Sequence, residues 1–162
     1  MTDDNASSFT SAHFIGIGGA GMSGIAHVLH ERGCRVTGSD LKASSYVRDL
    51  VDAGVEVHIG HRASTIDETV PDLVVTSSAV PEDNPEVVRA RELNIPVWPR
   101  AKMLWALSRG SLTIAVAGTH GKTSTSAMTA HVLHESAVDC NAFLGGITKN
   151  YGTNYILAPQ SE

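Results

Sequence analysis

Cysteine is scarce in this chain: the 162 residues contain two, Cys34 and Cys140, far apart in sequence. That excludes a disulfide scaffold and suits a reducing compartment, so a cytoplasmic location is expected. No apolar run approaches the ~18 residues of a membrane-spanning helix, so no membrane partner is expected. Basic runs are missing too. With a net charge of −5, the chain has no electrostatic footprint for nucleic acid. The opening residues, Met1 to Ser8, are polar and carry no apolar core of a signal peptide; residues 1–12 read as a flexible tail. What remains is 42% hydrophobic and 18% charged, enough for one ordinary domain with a real core, or one domain plus part of another.

The chain is organised around the stretch from Ser111 to Thr125. Leu112 to Ala117 is a short apolar run rich in β-branched residues, and it predicts a buried parallel strand. Gly118-Thr119-His120-Gly121-Lys122-Thr123 follows, and Ser124 leads into a helical pattern ending near Glu135. Strand, glycine-rich turn and helix make a phosphate cradle: loop amides and a helix N-terminus face an anion, and a lysine adds a point charge. Thr123 stands where a hydroxyl would hold the Mg²⁺ that bridges nucleotide phosphates. Val116 departs from the general P-loop pattern, which has its first glycine there. His120 either touches phosphate or fills the loop.

Upstream, Ala12 to Gly18 predicts a strand that runs into Gly16-Ile17-Gly18-Gly19-Ala20-Gly21, a G-x-G-x-x-G with an extra glycine. A helix from Met22 to about Arg32 stops at Gly33, and a second strand, Cys34 to Ser39, leads to Asp40. That acid has the spacing at which a dinucleotide fold receives a ribose hydroxyl. The same crevice accepts NAD or a uridine diphosphate. Alternation continues with a helix at 44–53, strands at 55–59 and 72–77, a helix capped by Asn84 with Pro85 in its first turn, a strand at 96–98 and a helix at 100–107. Five strands with crossover helices predict an α/β fold, a Rossmann-like doubly wound parallel sheet with ligand at the strands' C-terminal ends. His61, Arg62, Ser77 and Ser78 follow two of those strands and are either ligand contacts or solvated loop. Residues 108–111 read as a linker, and 112–162 as the first strand, P-loop and helix of an incomplete α/β ATPase domain. Such a domain needs more strands, one carrying an acidic Mg²⁺ ligand, so the chain is expected to be a fragment.

Ala-His-Val-Leu-His-Glu occurs twice, at 26–31 and 130–135, each time late in the helix after a glycine loop. Neither copy has the His-Glu-x-x-His spacing of a zinc protease, and histidines near a helix C-terminus interact favourably with its dipole.

Taken together, His13 to Ala26, Gly38-Ser39-Asp40, Ser77-Ser78-Ala79-Val80 with Asp83-Asn84-Pro85-Glu86, Ile95-Pro96-Val97 and Ala117 to Thr123 make the chain resemble the Mur ligases, in their alanine-adding branch. The resemblance implies a UDP-sugar-binding domain over residues 13–107, with Gly18, Gly19, Ala20, Gly21, Met22, Ser39, Asp40, His61, Ser77 and Ser78 at the ligand. It also implies ATP on Gly118, Thr119, His120, Gly121, Lys122, Thr123 and Ser124, Mg²⁺ on Thr123, and Lys122 and Thr123 as the catalytic pair. UDP-N-acetylmuramate and L-alanine are the implied substrates, joined through an acyl phosphate in peptidoglycan synthesis. A murein tripeptide ligase shares this design. A nicotinamide dehydrogenase would explain Gly16 to Asp40 alone, and a non-catalytic nucleotide-binding module is a further alternative.

Overall fold

The computed structural model describes residues 9–158. Its larger unit is a five-stranded sheet in the order β3-β2-β1-β4-β5, every pair parallel. The strands are β1 (Ser11–Ile15), β2 (Arg35–Asp40), β3 (Glu56–Ile59), β4 (Leu73–Thr76) and β5 (Val97–Pro99). Between them run α1 (Ala20–Glu31), α2 (Ser45–Asp52), α3 (Ala63–Thr69) and α4 (Pro85–Glu92), and α5 (Arg100–Ser108) follows β5. This is the expected doubly wound arrangement. Strand order reverses beside β1, which puts the crevice between the loops after β1 and β4.

Each face of the sheet has its own helices because side chains alternate along a strand. Ala12, Phe14, Val36 and Val75 pack with Ile25 and Leu29 of α1, Leu50 of α2 and Met103 of α5. Ile15 and Val74 face the other way, against Ile66 of α3 with Val87 and Ala90 of α4. The second face also carries buried polar side chains, Ser11, His13, Thr37 and Ser39. Gly38 shows how tightly β2 meets the loop after β1: a Cβ there would lie 2.5 Å from Ile17 Cδ1 and 2.8 Å from the Phe14 carbonyl.

Helix boundaries follow local chemistry. Ser44 Oγ accepts the Val47 amide at the start of α2, and Asn84 Oδ1 accepts the Glu86 amide at the start of α4. Three expectations change. The tail expected over residues 1–12 gives way at its end: Ser11 and Ala12 are buried in β1, and Phe9 packs edge-on to Trp98 at 6.2 Å. Residues 1–8 lie outside the described residues. Helix α3 was not expected, since its seven residues offer one large apolar side chain, Ile66, and its C-cap is Val70 at φ 39°, where glycine would be the usual signal. It is the crossover that carries the chain to the second face.

The third change concerns Leu112 to Ala117, which forms no strand; Leu112 is 98% exposed and Ile114 61%. A strand needs a neighbour for its backbone groups, and among the described residues none lies beside it. The helix after the P-loop does form, as α6 (Lys122–Glu135), and an antiparallel pair, β6 (Ala142–Phe143) and β7 (Tyr155–Ile156), closes over Ala130. This pair docks on α1. Asn154 donates to the Ala20 carbonyl and, at 3.0 Å, to Ser23 Oγ, and Tyr155 stacks on His27 at 4.8 Å.

Candidate functional site: two glycine-rich loops

The glycine turn after β1 is built by hydrogen bonds to the end of β2. The amides of Gly16 and Ile17 donate to the Ser39 carbonyl at 2.8 and 3.0 Å. The Gly18 amide donates to Asp40 Oδ2 at 2.8 Å, while Oδ1 takes the Lys42 amide at 3.1 Å. Gly19 is the N-cap of α1; its amide is satisfied by the Gly16 carbonyl, and the amides of Met22 and Ser23 return to the Gly19 carbonyl. Of the five residues expected at the diphosphate, Gly18, Gly19 and Met22 therefore have their donors engaged. The amides of Ala20 and Gly21, the first two residues of the helix, make no backbone hydrogen bond among the described residues, and free amides in a first helical turn favour an anion.

Asp40 thus holds the turn in shape and still offers carboxylate lone pairs at the crevice edge. Ser39 is not at the crevice. It is fully buried, and its hydroxyl donates to Glu86 Oε2 at 2.5 Å and meets His61 Nδ1 at 2.9 Å. His61 lies at the surface end of this chain of contacts, its side chain 15% exposed. Ser77 is half-buried and accepts the Ala79 amide at 3.3 Å, while Ser78 is exposed. Val80, in the same loop, comes within 3.8 Å of a Cβ position on Gly16, so the loops after β1 and β4 form the two walls of the crevice.

Two residues at this end of the sheet escaped the sequence reading. Arg100, at the head of α5, brings its guanidinium carbon to 3.1 Å from where a Cβ would sit on Gly21. It lines a cavity of about 100 Å³ with Ala20, Gly21, Leu104, Phe143 and Asn154. Its position directly after a strand's C-terminal end was the available signal. Glu86 is the other. It is fully buried, with Oε2 3.3 Å from His61 Nδ1 and 3.8 Å from His13 Nε2, and the Arg62 amide donates to Oε1 at 3.4 Å. Burial pushes its pKa up, but the approach of His13 and the hydrogen bonds from Ser39 and the Arg62 amide outweigh that, holding the carboxyl below the ordinary glutamate value. Glu86 is thus a buried carboxylate.

At the P-loop, Gly118 and Gly121 take φ values of 147° and 76°, which L side chains rarely adopt. Gly121 caps α6, whose first amides, from Lys122, Thr123 and Ser124, face the loop. Lys122 Nζ lies across the loop, donating to the carbonyls of Gly118 at 2.7 Å and Thr119 at 3.3 Å. Thr123 Oγ1 sits 2.7 Å from a Cβ position on Gly145, so the turn after β6 must be bare to leave that hydroxyl room. Thr119, His120 and Ser124 are exposed. The donor set fits a nucleotide phosphate. For a metal it supplies one neutral oxygen, Thr123, and among the described residues no group of three His, Cys, Asp or Glu converges on a cation site. The repeated histidines pack instead: His27 on Tyr155, His30 on the Ala53 carbonyl at 2.9 Å, and His131 on the Tyr151 hydroxyl at 2.7 Å.

Comparison with known proteins agrees with this geometry. Curated UDP-N-acetylmuramate–L-alanine ligases are similar over 142 residues: that of Geotalea daltonii at 51% identity (88% of this chain, 31% of the relative) and that of Legionella pneumophila at 52% (88% and 30%). The chain spans about a third of the length of these relatives. Among solved structures, the UDP-N-acetylmuramate-alanine ligase of Thermotoga maritima superposes with a TM-score of 0.86 at 37% identity, covering 93% of this chain and 35% of the other. The UDP-N-acetylmuramate:L-alanyl-γ-D-glutamyl-meso-diaminopimelate ligase of Neisseria meningitides gives 0.83 at 31%, covering 96% and 50%. Residues 11–111, the span that holds the parallel sheet and its glycine turn, match the family described as Mur ligase family, catalytic domain, and the chain belongs to the Mur ligase family.

Proposed function

We propose that the chain is the N-terminal part of an ATP-dependent ligase that joins L-alanine to the carboxylate of UDP-N-acetylmuramate, in the cytoplasmic synthesis of peptidoglycan precursors. The observation that carries this is a pair of glycine-rich loops, each leading into a helix, in one chain about half identical over 142 residues to enzymes of that name. A dehydrogenase would leave the second loop without a purpose. Residues 13–107 would bind the UDP-sugar, residues 108–111 would link, and 112–162 would begin the ATP-binding domain.

The chemistry explains the need for two loops. A carboxylate is a poor electrophile until it carries a leaving group, so ATP first converts it to an acyl phosphate, which the amine of L-alanine attacks. Ala20, Gly21 and Arg100 would bind the substrate's diphosphate, and Asp40 the ribose; that remote binding positions the carboxylate for reaction. At the second loop, the amides at the head of α6 and the Lys122 ammonium would stabilise charge on the transferring phosphoryl group. Mg²⁺, when bound to the nucleotide, neutralises phosphate charge, and Thr123 would hold it from the protein side. Among the described residues no group of three His, Cys, Asp or Glu converges to complete a site for that metal. The 162-residue chain is therefore expected to bind UDP-sugar without turnover.

Calorimetry tests the reading. UDP-N-acetylmuramate and UDP should bind the chain more tightly than NADH, and Lys122→Ala should leave that binding unchanged. In the full-length enzyme, Lys122→Ala should lower phosphate release by about 10²–10³ or more. Tighter binding of NADH overturns the substrate assignment; near-normal phosphate release from Lys122→Ala overturns the ATP assignment.

A further inference from the structure

Glu86 and Ser39 are buried polar groups on the second face of the sheet, and both contact His61 in the loop after β3. The proton inventory along this line is closed. Ionised Glu86 can only accept, and Ser39 has one hydrogen to give. At 2.5 Å that hydrogen belongs to the contact with Glu86 Oε2. Ser39 Oγ must then accept at its other contact, 2.9 Å from His61 Nδ1. Glu86 Oε2, 3.3 Å away, is the alternative partner of the same nitrogen, and it too is an acceptor. Both leave His61 Nδ1 carrying the proton. His61 Nε2 has no partner among the described residues and is not among the buried unpartnered nitrogens, so it meets solvent.

We propose that Glu86, acting through Ser39, is a positioning residue that locks His61 in its Nδ1–H tautomer and turns the lone pair of Nε2 toward the base of a bound nucleotide, where it selects uracil. The inference rests on the nucleoside-diphosphate reading of the crevice. In a sheet of this order the diphosphate sits on the turn after β1 and the ribose at the acid ending β2. The base then continues outward, toward the end of β3. His61 is two residues beyond β3, and the loop is tied to β2 by the Gly60 amide on the Asp40 carbonyl at 2.8 Å. An acceptor there suits the N3–H of uracil and opposes the lone pair at N3 of cytosine.

The network also states what reverses it. The Arg62 amide, 3.4 Å from Oε1, keeps an acceptor at that position. In Glu86→Gln the carbonyl oxygen therefore takes the Oε1 place, and the amide nitrogen occupies the Oε2 place as a donor. Ser39 must now accept from Gln and give its hydrogen to His61 Nδ1. The histidine becomes the Nε2–H tautomer, with a donor toward the base. Shape and sheet packing change little and one buried negative charge is lost, but only the reversed order of hydrogen bonds switches the His61 tautomer and the base preference, which a merely structural role for Glu86 would leave alone.

The experiment has two arms on the 162-residue chain. Long-range ¹H–¹⁵N spectra, with the ring assigned by its loss in His61→Ala, should show the Nδ1–H tautomer in the wild type and the Nε2–H tautomer in Glu86→Gln. Calorimetry with UDP and CDP should show about a tenfold preference for UDP in the wild type. His61→Ala should abolish it, and in Glu86→Gln CDP should bind at least as well as UDP. A wild-type His61 that is Nε2–H or doubly protonated overturns the tautomer lock even where Glu86→Gln does not fold. A UDP preference unchanged in His61→Ala or in a folded Glu86→Gln overturns base selection. If neither nucleotide binds the wild type, the reading of the crevice fails and base selection with it, and the spectra still decide the tautomer.

Discussion

Adjacent glycines in the first loop should respond very differently to a single added methyl group. A Cβ on Gly18 would lie 2.7 Å from Val47 Cγ2, 2.8 Å from Ser44 Oγ and 3.0 Å from Asp40 Oδ2. Val47 is buried and Ser44 caps α2, so neither withdraws without disturbing that helix. The remaining response is to lift the turn off Asp40, which breaks the 2.8 Å bond from the Gly18 amide. Overpacking of this kind costs about 1–3 kcal/mol, and a half-buried hydrogen bond to a carboxylate adds about 1–2 kcal/mol. Gly18→Ala should therefore lose about 2–5 kcal/mol, or some 8–40 °C in Tm at about 4–8 °C per kcal/mol for a sheet unit of this size. At Gly19 the same methyl meets nothing closer than 3.4 Å, and φ of −70° suits any residue. Gly19→Ala should stay within about 1 kcal/mol of the wild type. Urea unfolding followed by circular dichroism reads both. Equal stability for the two variants would show that the turn is not clamped between Asp40 and α2.

Asp72 accepts from the Thr10 amide at 2.8 Å, the Thr10 hydroxyl at 3.0 Å and the Ser11 amide at 2.9 Å, and these bonds lower its pKa to about 2. A folded pKa below the unfolded one means a contribution present above pH ~4 and lost as the pH falls through about 2. The stability gap between wild type and Asp72→Asn should be constant above that window and close within it; a gap independent of pH would remove the carboxylate from the account. Asn154→Ala should free the β6–β7 pair from α1, because it removes the donor that ties that pair to the Ala20 carbonyl and Ser23 Oγ, a loss of about 1–3 kcal/mol. Hydrogen exchange at residues 142–156 should accelerate accordingly while β1 and β2 stay protected. Unchanged exchange there would show that the pair does not rely on this side chain for its docking.

The parts of the site that the sequence makes legible are those in which chemistry and spacing are local. A strand, four glycines, a helix and an acid at the next strand end lie within thirty residues, and each constrains the next. The network around Glu86 is the opposite case. His13, Thr37, Ser39, His61 and Glu86 come from two strands, the loop after β3 and a helix start, and they meet only because parallel pairing brings His13 beside Thr37 and turns Ser39 toward α4. In sequence, Glu86 is an ordinary acid in a first helical turn, and Ser39 looks like a ligand contact because it precedes Asp40. Side-chain alternation along β2 sends those two neighbours to opposite faces. Arg100 was hidden for the same reason: its neighbour, Gly21, is far away in the chain.

Leu112 to Ala117 shows what apolar pattern encodes and what it leaves open. A β-branched run buried on both sides is a statement about surroundings, since strand hydrogen bonds are made to other strands. Helix α6, directly after it, closes its hydrogen bonds within itself and forms although Ala130 is its single buried residue. The same contrast runs through their side chains. Leu112 and Ile114 are exposed beside the loop, and Met128 and Val132 are exposed on α6, at 62% and 61%. Four large apolar groups on consecutive elements are open together, as expected where a sheet face and a helix face await common neighbours. The P-loop's own geometry does not depend on those neighbours. Gly118, Gly121 and Lys122 are set by backbone conformation and by the N-terminus of α6, so the glycine loop takes shape even where the strand before it has not.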